Sequence, residues 1–267
     1  GVGGLHREGL KVCTGDLPEF RISYDENERA TYDQMKVGME ADLCAQDIPD
    51  EWFKSRWIHV AGIGVSSAQQ LRVAKSIRKR FQNSSGVLSA GTCRAMIEAD
   101  PESTLCLLRE CDVFFLNQEE FGILLPNGVP SNHAGSVMIT DGANGVRVIG
   151  GPHQGHYPVK SVAPIDPTGA GDSFCGGFIG AVLNGHPQPV QQGIQIAGNV
   201  LEGMGADPLI HWVANHVKQH SDPVPPQILR LAPTIREHGQ ASAFDFAQPP
   251  HLSIGHPHTL SMLFIST

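Results

Sequence analysis

The chain has 267 residues, 40 % of them hydrophobic, and its 19 basic residues against 27 acidic ones leave a net charge of −8. That is apolar material for one large α/β domain or two small ones, and the acidic balance argues against a nucleic-acid backbone as the main partner. No apolar run approaches the roughly 20 residues needed to cross a bilayer, so no membrane partner is expected, and six cysteines without a C-x-x-C pair predict free thiols in a reducing compartment, by default the cytoplasm.

In chain order, residues 20–36, "FRISYDENERATYDQMK", place two β-prone arms around the polar turn Asp25-Glu26-Asn27-Glu28 and read as a hairpin inside a β flap at about residues 11–37. "DIPDEWF" predicts a short helix with Asp47 as its N-cap, "RWIHVAG" a strand, and "SSAQQLRVAKSIRKRF" a helix opened by Ser66 or Ser67. The basic run "KSIRKR" falls late in that helix, where positive charge complements the carbonyl end of the dipole, so a solvated face is favoured over a nucleic-acid patch. Then come "GVLSA" as a strand, "DPESTLCLLREC" as a helix, "DVFFLN" as a buried strand, "QEEFGILL" as a helix, and "SVMITDG" as a strand with "GVRVIG" as its hairpin partner. Two helices follow, at residues 172–183, stopped by "NGHP", and at residues 190–204. Strands separated by helices predict an α/β fold, a doubly wound, mostly parallel sheet with helices on both faces, in one domain over residues 1–220. Beyond Asp207 the pattern decays, and residues 221–267, rich in Pro, His and Ser, read as an irregular C-terminal tail.

The stretch "IDPTGAGDSFCGG", residues 165–177, carries the most specific chemistry. Gly169, Ala170 and Gly171 have almost no side chain, so a ligand can approach their amides closely at the start of a helix, and bare amides there suit an anion, best a phosphate. Asp172 follows in the first turn, aimed at whatever those amides hold, and can accept a hydroxyl proton as that oxygen attacks phosphorus. Alone, the G-x-G-D core reads more readily as a capped helix start after a tight turn, with Asp172 favoured only by the dipole; the full seven-residue string is much more specific. Competing motifs fail. There is no P-loop, and "HVAGIGVSSAQQ" has Ser67 where a dinucleotide fingerprint needs its third glycine. The histidine pairs His216/His220 and His153/His156 lack a third ligand of fitting spacing, so they read as surface or core residues.

The string "DPTGAGDSF", Asp166 to Phe174, resembles the second signature of the PfkB or ribokinase family of carbohydrate kinases. The resemblance implies a ribokinase-like fold with a small β lid, and an ATP-dependent phosphotransferase that moves the γ-phosphoryl group to a hydroxyl of a sugar or sugar-like alcohol. It also implies that Asp172 is the catalytic base, that the amides of Gly169, Ala170 and Gly171 form the anion hole, and that Asp166 and Thr168 lie at the nucleotide. "FFLNQEEFGIL" is similar to the family's strand and N-x-x-E, which assigns Asn117 and Glu120 to Mg²⁺ and its waters. "VMITDGANGVRVI" is similar to its strand and glycine turn, which assigns Thr140, Gly142 and Gly145 to the nucleotide.

The departures are as specific. The family's opening strand, its sugar-contacting glycine pair and its early aspartate are absent, and "GVGGLHREGLKV" looks like a later segment that leads into the flap. The chain is therefore read as N-terminally truncated relative to the family, and as given is expected to be aggregation-prone and weakly active. Many members carry an aspartate where "LSAGTCR" has Gly91, although Arg94 is retained. A second reading thus stays open, a noncatalytic, degenerate kinase fold that binds a nucleotide or a regulatory partner. The expected partner of the first reading is a small sugar, with the exposed flap edge as a route to a homodimer; which sugar is left undecided.

Overall fold

Short runs of apolar residues buried on both faces set the main sheet. The computed structural model describes residues 14–16, 19–24, 30–36, 38–62, 66–81, 86–160, 162, 164–203, 253–254 and 263–266. Its strands are β1 (Glu19–Tyr24), β2 (Ala30–Lys36), β3 (Trp57–Val60), β4 (Val87–Gly91), β5 (Val113–Asn117), β6 (Ser136–Thr140), β7 (Val146–Ile149), β8 (Gly155–Tyr157), β9 (Ser253–Ile254) and β10 (Leu263–Ser266). Its α-helices are α1 (Ser67–Arg80), α2 (Arg94–Ala99), α3 (Pro101–Glu110), α4 (Gln118–Leu124), α5 (Ala170–Leu183) and α6 (Pro189–Leu201). One sheet has the order β2-β1-β9 and the other β10-β3-β4-β5-β6-β7-β8. β3 with β4 and β4 with β5 are parallel, whereas β10 runs antiparallel to β3. The α/β class expected from the alternation is the class observed.

The chain divides into two compact units, whose described residues fall within 14–139, 148–154, 253–254 and 263–266 in the larger and within 140–147 and 155–203 in the smaller. In the larger unit every residue of β3 and the first four of β5 are buried. Parallel strands covered on both faces lose the alternation of a half-exposed strand, which is why "DVFFLN" reads as a continuous apolar run. On one face Ile58, Leu88, Phe114 and Val137 join Ile77 of α1 and Leu107 of α3 in a single core cluster. Each such side chain contributes about 1.5–3 kcal/mol when fully withdrawn from water.

Helix α1 starts where Ser66 accepts the Gln69 amide on its hydroxyl at 3.2 Å, satisfying one orphan N–H of the first turn. The basic run at its far end has structural employment. Arg78 Nη2 donates to Asp112 Oδ2 at 2.9 Å, while Arg80 pairs with Asp50 at 2.6 Å and lies 3.9 Å over the Phe53 ring. From the same helix Gln70, with no exposed surface, points its amide at the carboxyl ends of two strands. Gln70 Nε2 donates to the carbonyls of Val60, Ala61 and Gly91 at 3.0, 2.9 and 2.8 Å.

The other face of the same strands holds a buried polar trio. Register sets His59 opposite Ser89, whose hydroxyl accepts the Trp57 indole N–H at 2.7 Å and lies 2.8 Å from His59 Nδ1. A hydroxyl that already accepts from the indole can give its own proton to Nδ1, an arrangement suited to a neutral imidazole. Phe115 meets that ring edge-on at 5.7 Å between centroids. Burial lowers the His59 pKa from the ordinary 6.5 to about 4.

In the smaller unit α5 and α6 approach closely because glycines face each other. A Cβ on Gly177 would lie 3.1 Å from the Gly193 Cα, and one on Gly193 would lie 2.9 Å from the Phe174 carbonyl oxygen.

Several local expectations are corrected. Asp47 caps no α-helix: it closes the 3-10 turn Ala45–Asp47, its carboxylate accepting the Cys44 amide at 2.9 Å, and after Pro49 a second 3-10 turn, Asp50–Lys54, takes over. Helix α2, unread in the sequence, stops at Ala99 because Asp100 precedes a proline and is pushed out of the helical region, φ −153° and ψ 76°. Asp100 then caps α3, accepting the Ser103 amide at 3.0 Å. Strand β8 was also unread, α5 starts at Ala170 rather than 172, and α6 runs Pro189–Leu201 rather than 190–204. The arms of the flap hairpin are present as β1 and β2, antiparallel, while the turn expected at Asp25-Glu26-Asn27-Glu28 lies outside the described residues. The decay beyond Asp207 and the pair His216/His220 also lie outside them, as does the 221–267 tail apart from β9 and β10. Among the described residues no helix is long and apolar enough to cross a membrane, and Cys44, Cys93, Cys106, Cys111 and Cys175 are free thiols.

His59 makes stability depend on acidity. Its folded pKa lies below the unfolded one, so its contribution is whole above about pH 6.5 and is lost as pH falls towards 4. Over that window urea unfolding is expected to lose about 3 kcal/mol on account of this group, and His59→Gln is expected to flatten that part of the profile. An unchanged slope in the variant would contradict the assignment.

Candidate functional site

The junction leading into α5 is shaped by three local constraints. Asp166 Oδ1 accepts the Thr168 amide at 2.9 Å, the side-chain turn that aspartate makes with its own backbone two residues on. Ile165 N–H donates to the Leu201 carbonyl at 2.8 Å, tying the entry to the end of α6. Gly169 then turns the chain with φ +80° and ψ 1°, a left-handed conformation that glycine adopts without penalty, and its carbonyl accepts the Ser173 amide at 2.9 Å as the helix begins. The Ala170 amide donates to the Pro167 carbonyl at 3.3 Å, whereas among the described residues the Gly169 and Gly171 amides have no protein acceptor. A Cβ built on either glycine would meet nothing within 4 Å, so this side of the junction is open to a ligand.

Asp172 occupies the first turn of α5 and keeps an exposed surface. Protein nevertheless surrounds most of its directions, and that desolvation pushes its carboxyl above the ordinary carboxylate value. The exposed surface governs access and the crowding governs basicity; the two are compatible at a concave site. One turn on, Cys175 is buried, and burial followed by the Asp172 charge pushes its thiol well above the ordinary value, so it is an inert packing group. Phe174 and Phe178 stack at 6.4 Å and fix the buried face of the helix.

Thr140 ends β6 in the same unit, followed by the 3-10 turn Gly142–Asn144. The Asp141 amide donates to the Gly145 carbonyl at 2.8 Å, and Asn144 Nδ2 to Asp141 Oδ2 at 3.1 Å. Gly145 is buried with φ +96°, and a Cβ there would run into the Tyr157 carbonyl oxygen, so no other residue fits.

Asn117 and Glu120 lie in the larger unit, at the end of β5 and the start of α4. They form a capping box: the Glu120 amide donates to Asn117 Oδ1 and the Asn117 amide to Glu120 Oε2, both at 2.8 Å. Asn117 is exposed while Glu120 is 7 % exposed. The donor set is all oxygen, from one neutral amide and one carboxylate, which fits the outer waters of a hydrated Mg²⁺. Among the described residues no group of three or more His, Cys, Asp or Glu could hold a metal as a closed cage.

The expected residues thus gather as two sets, Thr140, Gly142, Gly145, Asp166, Thr168 and residues 169–172 in one unit and Asn117 with Glu120 in the other. Sequence reasoning missed Gln70, whose partners at Val60 and Gly91 nothing in the pattern indicates, and the ion pair of Arg94 with Glu119 at 2.7 Å. Arg94 had been noted, but no spacing pointed to its partner.

The family model described as pfkB family carbohydrate kinase matches residues 89–200. A cytidine kinase from Thermococcus kodakarensis is 38 % identical over 225 residues, 75 % of this chain and 74 % of that protein. A fructokinase from Klebsiella pneumoniae is 25 % identical over 187 residues, and the chain spans 59 % of its length. Among solved structures, a fructokinase from Vibrio cholerae O395 in its fructose, ADP and calcium ion bound form has a TM-score of 0.55 at 20 % identity, covering 69 % of this chain and 68 % of that one. The likeness of fold agrees with the α/β reading drawn from the sequence.

Gly169→Ala isolates the left-handed turn, since space is no obstacle there. The strain of a non-glycine residue in that region is about 1–2 kcal/mol, and a stability loss of that size is expected by chemical denaturation. A neutral result would mean that the turn relaxes at no cost.

Proposed function

The chain belongs to the pfkB family of carbohydrate kinases, and from that premise we propose that it transfers the γ-phosphoryl group of ATP to a hydroxyl of a sugar or sugar-like alcohol. The observation that carries the reading is the start of α5, where unpaired glycine amides open outward beside an accessible carboxylate whose basicity burial has raised. Asp172 accepts the proton of the attacking hydroxyl, and a pKa above the ordinary carboxylate value makes it a stronger base for that task. The amides of Gly169 and Gly171 bind the negative charge that grows on the transferring group, and that of Ala170 joins them by giving up its 3.3 Å bond to the Pro167 carbonyl. Thr140, Gly142, Gly145, Asp166 and Thr168 are assigned to the nucleotide, and the β1–β2 hairpin to covering the sugar against water. Asn117 and Glu120 would hold a hydrated Mg²⁺, which when bound neutralises charge on the phosphate oxygens. The 38 % identity to a cytidine kinase supports including nucleosides, through their ribose hydroxyls, among the acceptors. Free thiols support a reducing compartment, the cytoplasm.

A coupled assay of ADP release with Mg·ATP over a panel of sugars and nucleosides tests the reading. Asp172→Asn keeps the size and removes the proton acceptor, and its turnover on the best acceptor is expected to fall at least about 100-fold with nucleotide affinity little changed. Near-normal turnover would remove Asp172 from its role. Glu120→Gln is expected to raise the magnesium concentration needed for half-maximal rate, and an unchanged magnesium dependence would leave Glu120 as a helix cap alone.

A further inference from the structure

Arg94 is the first residue of α2, just past the carboxyl end of β4, and its guanidinium engages two carboxylates at once. Nε donates to Glu98 Oε1 at 2.8 Å one turn along its own helix, and Nη1 donates to Glu119 Oε1 at 2.7 Å on α4. Only the second contact joins two elements. Glu119 sits in the first turn of α4, beside Glu120 and within the capping box that Asn117 and Glu120 form.

Helix α4 has only seven residues, too few to hold its own axis by internal hydrogen bonds. Phe121 and Leu124 anchor its later part in the core, while Ile123 faces outward at 39 % exposure. The first turn takes its tether from Arg94. The base of that tether is itself fixed, since Gln70 holds the Gly91 carbonyl at 2.8 Å shortly before α2 begins. A guanidinium serves two carboxylates from one rigid planar fork, whereas an ammonium group is a point charge with rotatable donors that fixes no such geometry.

We propose that Arg94 is a positioning residue: through Glu119 it sets the orientation of the first turn of α4, and with it the direction in which Asn117 and Glu120 are presented to a hydrated divalent cation. The inference rests on the metal role proposed for Asn117 and Glu120, and it carries a sign that a plain charge effect does not. If Arg94 acted only as a nearby positive charge, removing it would tighten cation binding. As a positioning group, its removal loosens it.

The test is Mn²⁺ binding to the intact chain in the presence of a nonhydrolysable ATP analogue, followed by the electron paramagnetic resonance of the free ion, with thermal unfolding measured alongside. Arg94→Met is expected to weaken Mn²⁺ binding roughly 3- to 10-fold, and Arg94→Lys, which keeps the charge and loses the fork, is expected to weaken it as well. Binding of the analogue alone with the metal chelated should not change. Tighter or unaltered Mn²⁺ binding in Arg94→Met, while Glu120→Gln weakens it, would overturn the positioning role and leave the metal assignment standing. If Glu120→Gln has no effect either, the metal assignment fails and this inference with it. Should Arg94→Met not fold, Arg94→Lys carries the same test.

Discussion

One buried amide holds the working end of the main sheet together. Gln70 brings two N–H bonds to three carbonyls, those of Val60, Ala61 and Gly91, at the carboxyl ends of two neighbouring parallel strands. A carbonyl buried unpaired at a strand end would cost about 1–3 kcal/mol. Supplying the donors from α1 couples a helix on the face of the sheet to the loops at its rim, while Gln70 Oε1 is left without a partner among the described residues. In open α/β sheets the crevice beyond the carboxyl ends of the strands is where ligands bind, so the clamp secures the places where β3 and β4 give way to loop.

Charge is arranged around the same principle of local settlement. Arg78, Arg80 and Arg94 each find a carboxylate outside their own helix, Asp112, Asp50 and Glu119. Exposed pairs of this sort contribute about 0–1 kcal/mol each, so their weight is in fixing geometry. In the late α1 run Arg78 and Arg80 are paired in this way, while Lys75 and Lys79 keep exposed surface, as on a solvated helix face.

What the sequence made legible is what local chemistry dictates. Ser66 announces α1 because a hydroxyl before an apolar-periodic run has one economical use, and Asp100-Pro101 announces α3 in the same way. "DPTGAGDSF" is legible because a left-handed residue flanked by an aspartate turn leaves few other sequences able to make the junction. Interactions between residues far apart in the chain were not legible. The pairing of His59 with Ser89, thirty residues on, depends on strand register, and nothing in "RWIHVAG" distinguishes a buried imidazole from an exposed one. Asp47 misled because an aspartate before an apolar stretch suggests an α-helix cap, whereas Pro49 divides the segment and two tighter turns result.

The bond from Ile165 to Leu201 has a consequence for how the junction meets a ligand. Only residues 166–168 separate that anchor from Gly169, and α5 is locked to α6 by the facing glycines 177 and 193, so both ends of the short connection are moored to the same pair of helices. A segment so confined has little conformational freedom left to surrender. For the anion proposed to bind there, recognition would resemble a key entering a lock already cut, with little ordering cost on arrival. Calorimetrically, such an encounter has a heat-capacity change that follows the apolar surface it covers, without the larger signature of a loop folding around its guest.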